Sequence, residues 1–272
     1  MNKVILTIFA GRESSLKVLF KYLDIALERN IIHEIHLWNY TRKRSDERYL
    51  YTINKEHYHI LNVTNKKNWS EYYNYYTNIK FTNDIILKCD DDIVFIDVNK
   101  LPSYIQAIQD TDLDILFPNI INNGVAAYYQ QHIFNLIPRE ELVFEYPLNG
   151  LEGTLWESAE KASKLHEYFI DNIDTFLSYS NDKIPIVELY SRFSINMFII
   201  KGNNWHKIQQ GSGDDEHYIT VICRKEKHLR IGLFTSFFIS HLSFYKQIRN
   251  GFNQTLILQR YHDLYHKLYK ND

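Results

Sequence analysis

The chain has 272 residues, of which 45% are hydrophobic and 24% charged, as in a globular protein of one large or two small domains. Its net charge of −2 favours no nucleic-acid partner, and no apolar stretch reaches the length of a membrane span, although peripheral membrane association stays open. Two cysteines without a metal-binding or disulfide pattern favour a reducing, cytoplasmic location.

The first half of the chain alternates short apolar strands with amphipathic helices. Strands are predicted where buried-type residues run together, at residues 4–9, 35–38, 59–63, 85–88 and 114–118. Helices are predicted between them from apolar residues at helical spacing, over 16–26 with Ser14 as N-cap, over 69–79, and over 101–108 with Pro102 in the first turn. This alternation predicts a mostly parallel sheet, whose ligands bind beyond the carboxyl ends of the strands.

The second half is less regular. Its pattern predicts a long amphipathic helix over residues 155–176, strands at 195–200 and 234–239, and a C-terminal helix over 257–268. No repeat, linker or low-complexity segment divides the chain. We therefore expect one continuous α/β domain, residues 1–272, with a mostly parallel sheet flanked by helices.

Three consecutive carboxylates, Asp90, Asp91 and Asp92, follow the predicted strand 85–88. Like charges this close repel one another, and burial increases the penalty, so such a cluster persists where a positive group offsets it. A divalent cation held by carboxylate and phosphate oxygens is one such group. A solvated acidic turn between two strands is the alternative interpretation.

A second acidic group, Asp214, Asp215 and Glu216, follows two glycines, Gly211 and Gly213. Glycine lets the backbone approach a ligand closely. A helix is predicted to follow, and acids are also good N-caps, so the segment alone indicates a helix start more readily than a site. Together with the earlier triplet, it predicts the second half of an acid-lined cleft.

Two further residues are candidates because each lies at a strand end. His241 follows the predicted strand 234–239, where a histidine is usually a core residue, although a neutral imidazole also binds metal. Arg12 follows the first strand, where a cation suits a nucleotide phosphate or base. The alternative for Arg12 is an ordinary surface arginine.

Taken in order, these segments resemble the GT-A fold glycosyltransferases with a D-x-D motif, of bacterial or viral type. Residues 86–95 resemble the D-x-D segment, residues 213–216 the later acidic motif that holds the catalytic base in inverting members, and residues 241–244 the histidine segment that completes the metal site in some members. Residues 7–12 and 37–42, with Asp46 after them, resemble the nucleotide-side segments.

The resemblance implies a GT-A-like fold with a nucleotide-binding half, residues 1–120, and an acceptor-side half, residues 121–272. It implies a UDP-sugar donor, a glycan or other hydroxyl acceptor, inversion at the sugar, a role in polysaccharide biosynthesis, and Mn²⁺ or Mg²⁺. The implied metal site is Asp92, Asp90 and His241, the implied nucleotide site is Arg12, Asp46, Asp90 and Asp91, and the implied catalytic residues are Asp215 and Glu216. The later motif reads Asp-Asp-Glu instead of Glu-Asp, so either Asp215 or Glu216 is the base.

Other functions stay open at this point. A metal-dependent nucleotidyltransferase also uses strand-end carboxylates, but it calls for a longer glycine-rich, lysine-bearing loop after the first strand than Gly11-Arg12-Glu13 provides. A metal-dependent phosphohydrolase would be expected to have a histidine-rich cluster near the acids. A non-catalytic sugar-binding protein would not need six acids in two clusters.

Overall fold

The computed structural model describes residues 3–140, 142–146, 153–181, 192–209 and 213–270. Within these ranges eight strands form one sheet. They are β1 (Val4–Ala10), β2 (Glu34–Asn39), β3 (Tyr58–Asn62), β4 (Ile85–Asp90), β5 (Ile93–Ile96), β6 (Ile115–Ile121), β7 (Met197–Lys201) and β8 (Ile231–His241).

The strand order is β3-β2-β1-β4-β7-β6-β8-β5. Strands β3, β2, β1 and β4 are parallel to one another, and β6 is parallel to β8. Strand β7 runs antiparallel to both β4 and β6, and β5 runs antiparallel to β8. The predicted single α/β domain with a mostly parallel sheet is confirmed, and the antiparallel β5 and β7 are features that the alternation of elements did not predict.

Helices flank this sheet. In the described residues they are α1 (Glu13–Glu28), α2 (Arg44–Thr52), α3 (Ser70–Tyr75), α4 (Leu101–Asp110), α5 (Gly124–His132), α6 (Thr154–Glu157), α7 (Ala159–Asp171), α8 (Ile173–Ser178), α9 (Asp215–His217), α10 (Cys223–Lys227), α11 (Tyr245–Arg249) and α12 (Gln254–Tyr269). Helix α1 packs against β5 and α12, while α4 packs against β6, β7 and β8. No helix in the described ranges is long and apolar enough to cross a membrane.

Three helix predictions need correction. Helix α1 begins at Glu13 with Arg12 as N-cap, so Ser14 lies inside its first turn and is not the cap. The helix predicted over 69–79 ends at Tyr75. The helix predicted over 155–176 is three helices, because Ser158 accepts a hydrogen bond from the Lys161 amide and starts α7 anew, and the chain breaks again before α8.

The strands that the sequence predicts well are those that are buried in the core. Every residue of β4 up to Cys89 is buried, and β6 is buried along its whole length. Strands covered on both faces read as nearly continuous apolar runs, and the sequence shows this pattern there apart from Lys88 in β4 and Asn119 in β6. Helix α2 was not predicted because Leu50 is its one buried residue, so it carries no apolar stripe.

Candidate active site

The carboxyl ends of β1 and β4 place the start of α1 beside the acid triplet. The two strands are parallel neighbours, with Phe9 opposite Asp90. The Gly11 amide donates a hydrogen bond to Oδ2 of Asp91 at 2.6 Å, and a Cβ on Gly11 would lie 3.1 Å from that oxygen. Glycine is therefore the residue that fits this close approach.

Arg12 forms ion pairs with two of the three acids. Its Nη2 lies 2.6 Å from Oδ1 of Asp91, and its Nη1 lies 2.7 Å from Oδ2 of Asp92. Both carboxylates are buried, whereas the Arg12 side chain is 48% exposed. The guanidinium thus offsets two buried charges while keeping one side open to solvent, where an anionic ligand would arrive.

His241 lies beside Asp92 because β5 begins directly after Asp92 and pairs with β8, which ends at His241. The register places Ile93 opposite His241, and the Leu242 amide donates to the Asp92 carbonyl at 2.9 Å. Nε2 of His241 is 3.2 Å from Oδ2 of Asp92. The buried His166 supports this corner, since its Nε2 donates to the Leu242 carbonyl at 2.9 Å.

The two buried aspartates differ in their ionisation. Burial opposes the charge of Asp92, but Arg12 and His241 outweigh it and hold the pKa of Asp92 below its usual range. Burial raises the pKa of Asp91 to about 6, although the charge of Arg12 opposes this change. Asp92 is therefore the more readily ionised of the two and the better cation ligand.

Asp90 faces different partners from its two neighbours. Its Oδ1 accepts an ion-paired hydrogen bond from Nζ of Lys88, and its Oδ2 accepts one from Nδ2 of Asn196 at 2.9 Å. Lys88 is buried, and its Nζ also donates to the Ile195 carbonyl. The sequence interpretation missed Lys88, although a charged residue two positions before Asp90 in an apolar strand lies on the same face as Asp90.

The second acidic group is held by Arg192 at the start of α9. The carboxylate of Asp214 caps this helix by accepting from the His217 amide at 3.0 Å, and it also lies 2.7 Å from Nη2 of Arg192. Nε of Arg192 is 3.0 Å from Oε1 of Glu216. The predicted helix start is confirmed, whereas Gly211 lies outside the described residues.

Asp215 has a different environment from these two neighbours. Its Oδ2 accepts a hydrogen bond from the Tyr73 hydroxyl at 3.2 Å, and no ion pair to Asp215 is present among the described residues. Burial has the largest effect on the pKa of Asp215 and raises it. The negative charge of Asp90 raises this pKa further, whereas the positive charge of Lys88 lowers it. Burial raises the pKa of Glu216 to about 7 although Arg192 opposes the change.

The two acidic groups lie close together. Asp215 is near enough to Lys88 and Asp90 for their charges to affect its pKa. The chain segment 192–196 also connects the groups, because Arg192 binds Glu216 at one end and Asn196 binds Asp90 at the other. The structure thus brings together the two acid clusters that the sequence predicts to share a cleft.

Asp46 lies at the edge of this region. Its Oδ1 accepts a hydrogen bond from the Glu13 amide at 3.3 Å, which places it beside the start of α1 and one residue from Arg12. A polar cluster that the sequence interpretation missed lies at the ends of β2 and β3. There Nζ of Lys66 donates to Oγ1 of Thr41 at 3.0 Å, to Oδ1 of Asn39 at 3.1 Å and to Oε1 of Glu47.

Trp69 links the ends of β1 and β2 to the second acidic group. Its ring packs against Phe9, near the end of β1, and Tyr40, directly after β2, with centroids 5.6 and 5.3 Å away. Its Nε1 donates to the Gly213 carbonyl at 3.3 Å, one residue before Asp214. The indole therefore fixes the acidic segment against the end of the sheet.

The fit of a divalent cation rests on Asp92 and His241. Oδ1 of Asp92 and Nδ1 of His241 are buried and have no hydrogen-bond partner in the described part of the chain. An anionic oxygen and an imidazole nitrogen suit Mn²⁺, which tolerates both donor types. Across the described ranges, no three His, Cys, Asp or Glu side chains are grouped to hold a metal, and Asp90 is turned towards Lys88 and Asn196.

No protein-family model and no curated protein sequence matches this chain. Among solved structures, the inositol-1-phosphate CTP transferase of T. maritima has a TM-score of 0.45 at 10% identity and covers 97% of this chain and 96% of its own. The 4-diphosphocytidyl-2C-methyl-D-erythritol synthase of Anaerococcus prevotii gives the same TM-score, identity and coverage.

GalNAc-T7, solved with UDP, GalNAc and Mn²⁺, aligns over 90% of this chain with a TM-score of 0.53 at 7% identity. The match covers 45% of that chain, so the present chain spans less than half the length of GalNAc-T7. At such low identity the likeness shows the fold alone. The chain has a GT-A-like fold.

Proposed function

We propose that this protein is a metal-dependent glycosyltransferase that moves a sugar from a nucleotide-sugar, a UDP-sugar in the first instance, to a hydroxyl group of a glycan, with inversion. The observation that carries the proposal is the meeting of two acid clusters at the carboxyl ends of β1 and β4, one beside His241 and the other carrying Asp215. The presence of UDP and Mn²⁺ in the GalNAc-T7 structure supports the choice of donor and cation.

Asp92 and His241 would hold Mn²⁺ or Mg²⁺ in this proposal, with Asp91 supporting the site through Arg12. When bound, the cation supplies positive charge that stabilises the departing nucleoside diphosphate. The guanidinium of Arg12, whose side chain is half-exposed, lies beside the same acids. Its positive charge would favour cleavage of the bond between the sugar and the phosphate.

Asp215 is the proposed general base. It takes the proton of the acceptor hydroxyl while that oxygen bonds to the anomeric carbon, and the electron pair of the broken sugar–phosphate bond leaves with the diphosphate. Glu216 suits this role less well, because it is buried and its carboxylate is committed to Arg192. We therefore assign Glu216 to positioning the segment and Asp215 to the proton.

The alternatives are weaker on structural grounds. Only Gly11 and Arg12 separate β1 from α1, so the connection leaves no room for the long glycine-rich loop expected of a nucleotidyltransferase. A non-catalytic sugar-binding protein would not require Asp215 to lie near a cation site. A glycosyltransferase is expected to turn over the nucleotide-sugar donor, whereas a non-catalytic sugar-binding protein is not.

The experiment is a screen of nucleotide-sugars by thermal shift with Mn²⁺, followed by donor hydrolysis and transfer assays with and without the metal. A ligand that binds the native state raises the melting temperature by mass action. We expect Asp92→Asn to abolish metal-dependent turnover, and Asp110→Asn, on the exposed end of α4, to retain it.

Three results would count against the proposal. Full metal-dependent activity in Asp92→Asn would show that Asp92 is not a ligand of the cation. Binding of a nucleotide-sugar by the wild type without any hydrolysis or transfer, over a range of hydroxyl acceptors, would favour the sugar-binding alternative. Release of pyrophosphate from a nucleoside triphosphate would favour the nucleotidyltransferase.

A further inference from the structure

Lys88 is a buried cation that the proposed reaction does not yet use. Its side chain is 2% exposed, although it belongs to the apolar strand β4. Its Nζ binds Oδ1 of Asp90 and the Ile195 carbonyl, and it lies 5.3 Å from the centre of the Phe9 ring. With these contacts the ammonium group has no direction left for a ligand, so Lys88 would act through a neighbour.

A buried ion pair of this kind is poor evidence for stability. Removing an ammonium and a carboxylate from water carries a penalty that their attraction often fails to outweigh, and apolar replacements can be equally stable. The pair of Lys88 and Asp90 therefore calls for another reason to be at the centre of the site.

The geometry of Asp90 indicates that reason. Each of its oxygens has one protein donor, Lys88 for Oδ1 and Asn196 for Oδ2. The Asn196 carbonyl in turn accepts from the Asp90 amide at 2.7 Å, so the backbone and the side chain of Asp90 are both fixed by the same neighbour. An ionised carboxylate has about four acceptor positions, so roughly two remain for hydroxyl donors. The side chain of Asp90 is 23% exposed, which leaves these positions within reach of a ligand.

We propose that Lys88 is a positioning residue that, with Asn196, fixes Asp90 as an acceptor for the hydroxyl groups of the nucleotide-sugar donor and keeps it out of the cation's ligand set. This inference rests on the proposed function. It assigns separate duties to acids that are adjacent in sequence: Asp92 faces the cation, and Asp90 faces the sugar or ribose hydroxyls. The resemblance of the sequence to D-x-D transferases gave Asp90 both duties and gave Lys88 none.

The test is a double-mutant cycle with Lys88→Met, Asp90→Asn and the double variant, with UDP-glucose plus Mn²⁺ and Mn²⁺ alone as probes in titration calorimetry. We expect each single variant to weaken UDP-glucose binding by about tenfold, which corresponds to roughly 1.4 kcal/mol. The double variant should be no weaker than the singles, because Lys88 acts only through Asp90. Affinity for Mn²⁺ alone should stay within about threefold of wild type in Asp90→Asn and fall by at least about tenfold in Asp92→Asn.

Two further variants make the test robust. Asn196→Ala removes the second hydrogen-bond donor to Asp90 without leaving a buried charge unpaired. It should weaken UDP-glucose binding but not Mn²⁺ binding. Lys201→Met is the matched control, because Lys201 is a lysine of β7 that pairs with Ile85 at the opposite end of β4. Both affinities should be unchanged in that variant.

Additive effects of Lys88→Met and Asp90→Asn on UDP-glucose affinity would overturn the inference. Loss of Mn²⁺ binding in Asp90→Asn would do the same, because Asp90 would then be a cation ligand. Urea unfolding of the protein without ligand needs no donor at all, and additive destabilisation there would show that Lys88 and Asp90 are not coupled. Failure of the wild type to bind any nucleotide-sugar would instead reject the proposed function.

Discussion

The replacement Asp215→Asn tests the assignment of the general base most directly. The amide keeps the size of the carboxylate and keeps one oxygen that can accept the hydrogen bond from Tyr73, which is 3.2 Å long in the structure. It cannot take a proton from the acceptor. We therefore expect turnover to fall while the affinity for nucleotide-sugar and Mn²⁺ stays close to that of the wild type.

The size of this effect follows from what a base contributes. A positioned base accelerates proton transfer by about 10² to 10⁴, so we expect kcat to drop by that factor, or by roughly 2.7–5.5 kcal/mol in activation free energy. Stability should not fall. Burial and the charge of Asp90 raise the pKa of Asp215, which means that the folded state disfavours its ionised form, and a neutral amide relieves this penalty.

The assay is steady-state transfer at saturating donor, together with its pH profile. A base must be deprotonated, so activity should fall as the pH drops through the pKa of Asp215, and this decline should lie at higher pH than for an ordinary aspartate. Glu216→Gln is the matched control, and it should keep most of the turnover. Near-normal turnover in Asp215→Asn with an inactive Glu216→Gln would refute the reasoning and exchange the two roles.

Three further outcomes can be checked on the same preparations. Arg12→Ala should weaken UDP binding in calorimetry by about ten- to a hundredfold, the loss of one or two charged hydrogen bonds, and unchanged affinity would show that Arg12 serves only to neutralise the acids. Gly202→Ala should destabilise the protein by about 3 kcal/mol in urea unfolding, because its Cβ would overlap the Phe81 carbonyl oxygen; a loss near zero would contradict the close packing there. Burial lowers the pKa of His36 from 6.5 to about 4. Between these pH values the unfolded state binds a proton that the folded state does not, so the free energy of unfolding decreases by up to about 3 kcal/mol as the pH is lowered. His36→Gln should show a smaller loss between pH 7 and 4.5, and an equal loss would contradict this assignment.

Most of the sheet could be predicted from the sequence because its strands are buried on both faces. Strands such as β1 and β6 appear as largely apolar runs, and their order along the chain with amphipathic helices between them predicts the parallel part. The position of β7 between β4 and β6 could not be predicted, because strand order depends on long-range pairing. Helix α2 leaves too weak an apolar stripe to be seen.

The site could be predicted in part. The acid triplet is a candidate in the sequence because it follows an apolar strand, and the structure places Nε2 of His241 3.2 Å from Oδ2 of Asp92. Lys88 was missed because it lies inside an apolar segment and was interpreted only as part of the predicted strand 85–88. Arg192 was missed because the residue that pairs with a buried acid depends on the tertiary fold and does not lie at a fixed spacing from that acid in the sequence.

The placement of β7 also affects how the chain folds as it is synthesised. Strands β4 and β6 do not pair with each other; each pairs with β7, which lies roughly eighty residues further on than β6. Until β7 emerges from the ribosome, β4 presents an unpaired edge, and such edges invite pairing with other chains. Long-range pairings of this kind also form slowly. A fragment that ends near residue 120 would therefore aggregate rather than fold, and its expression alone is expected to need a chaperone or to yield inclusion bodies.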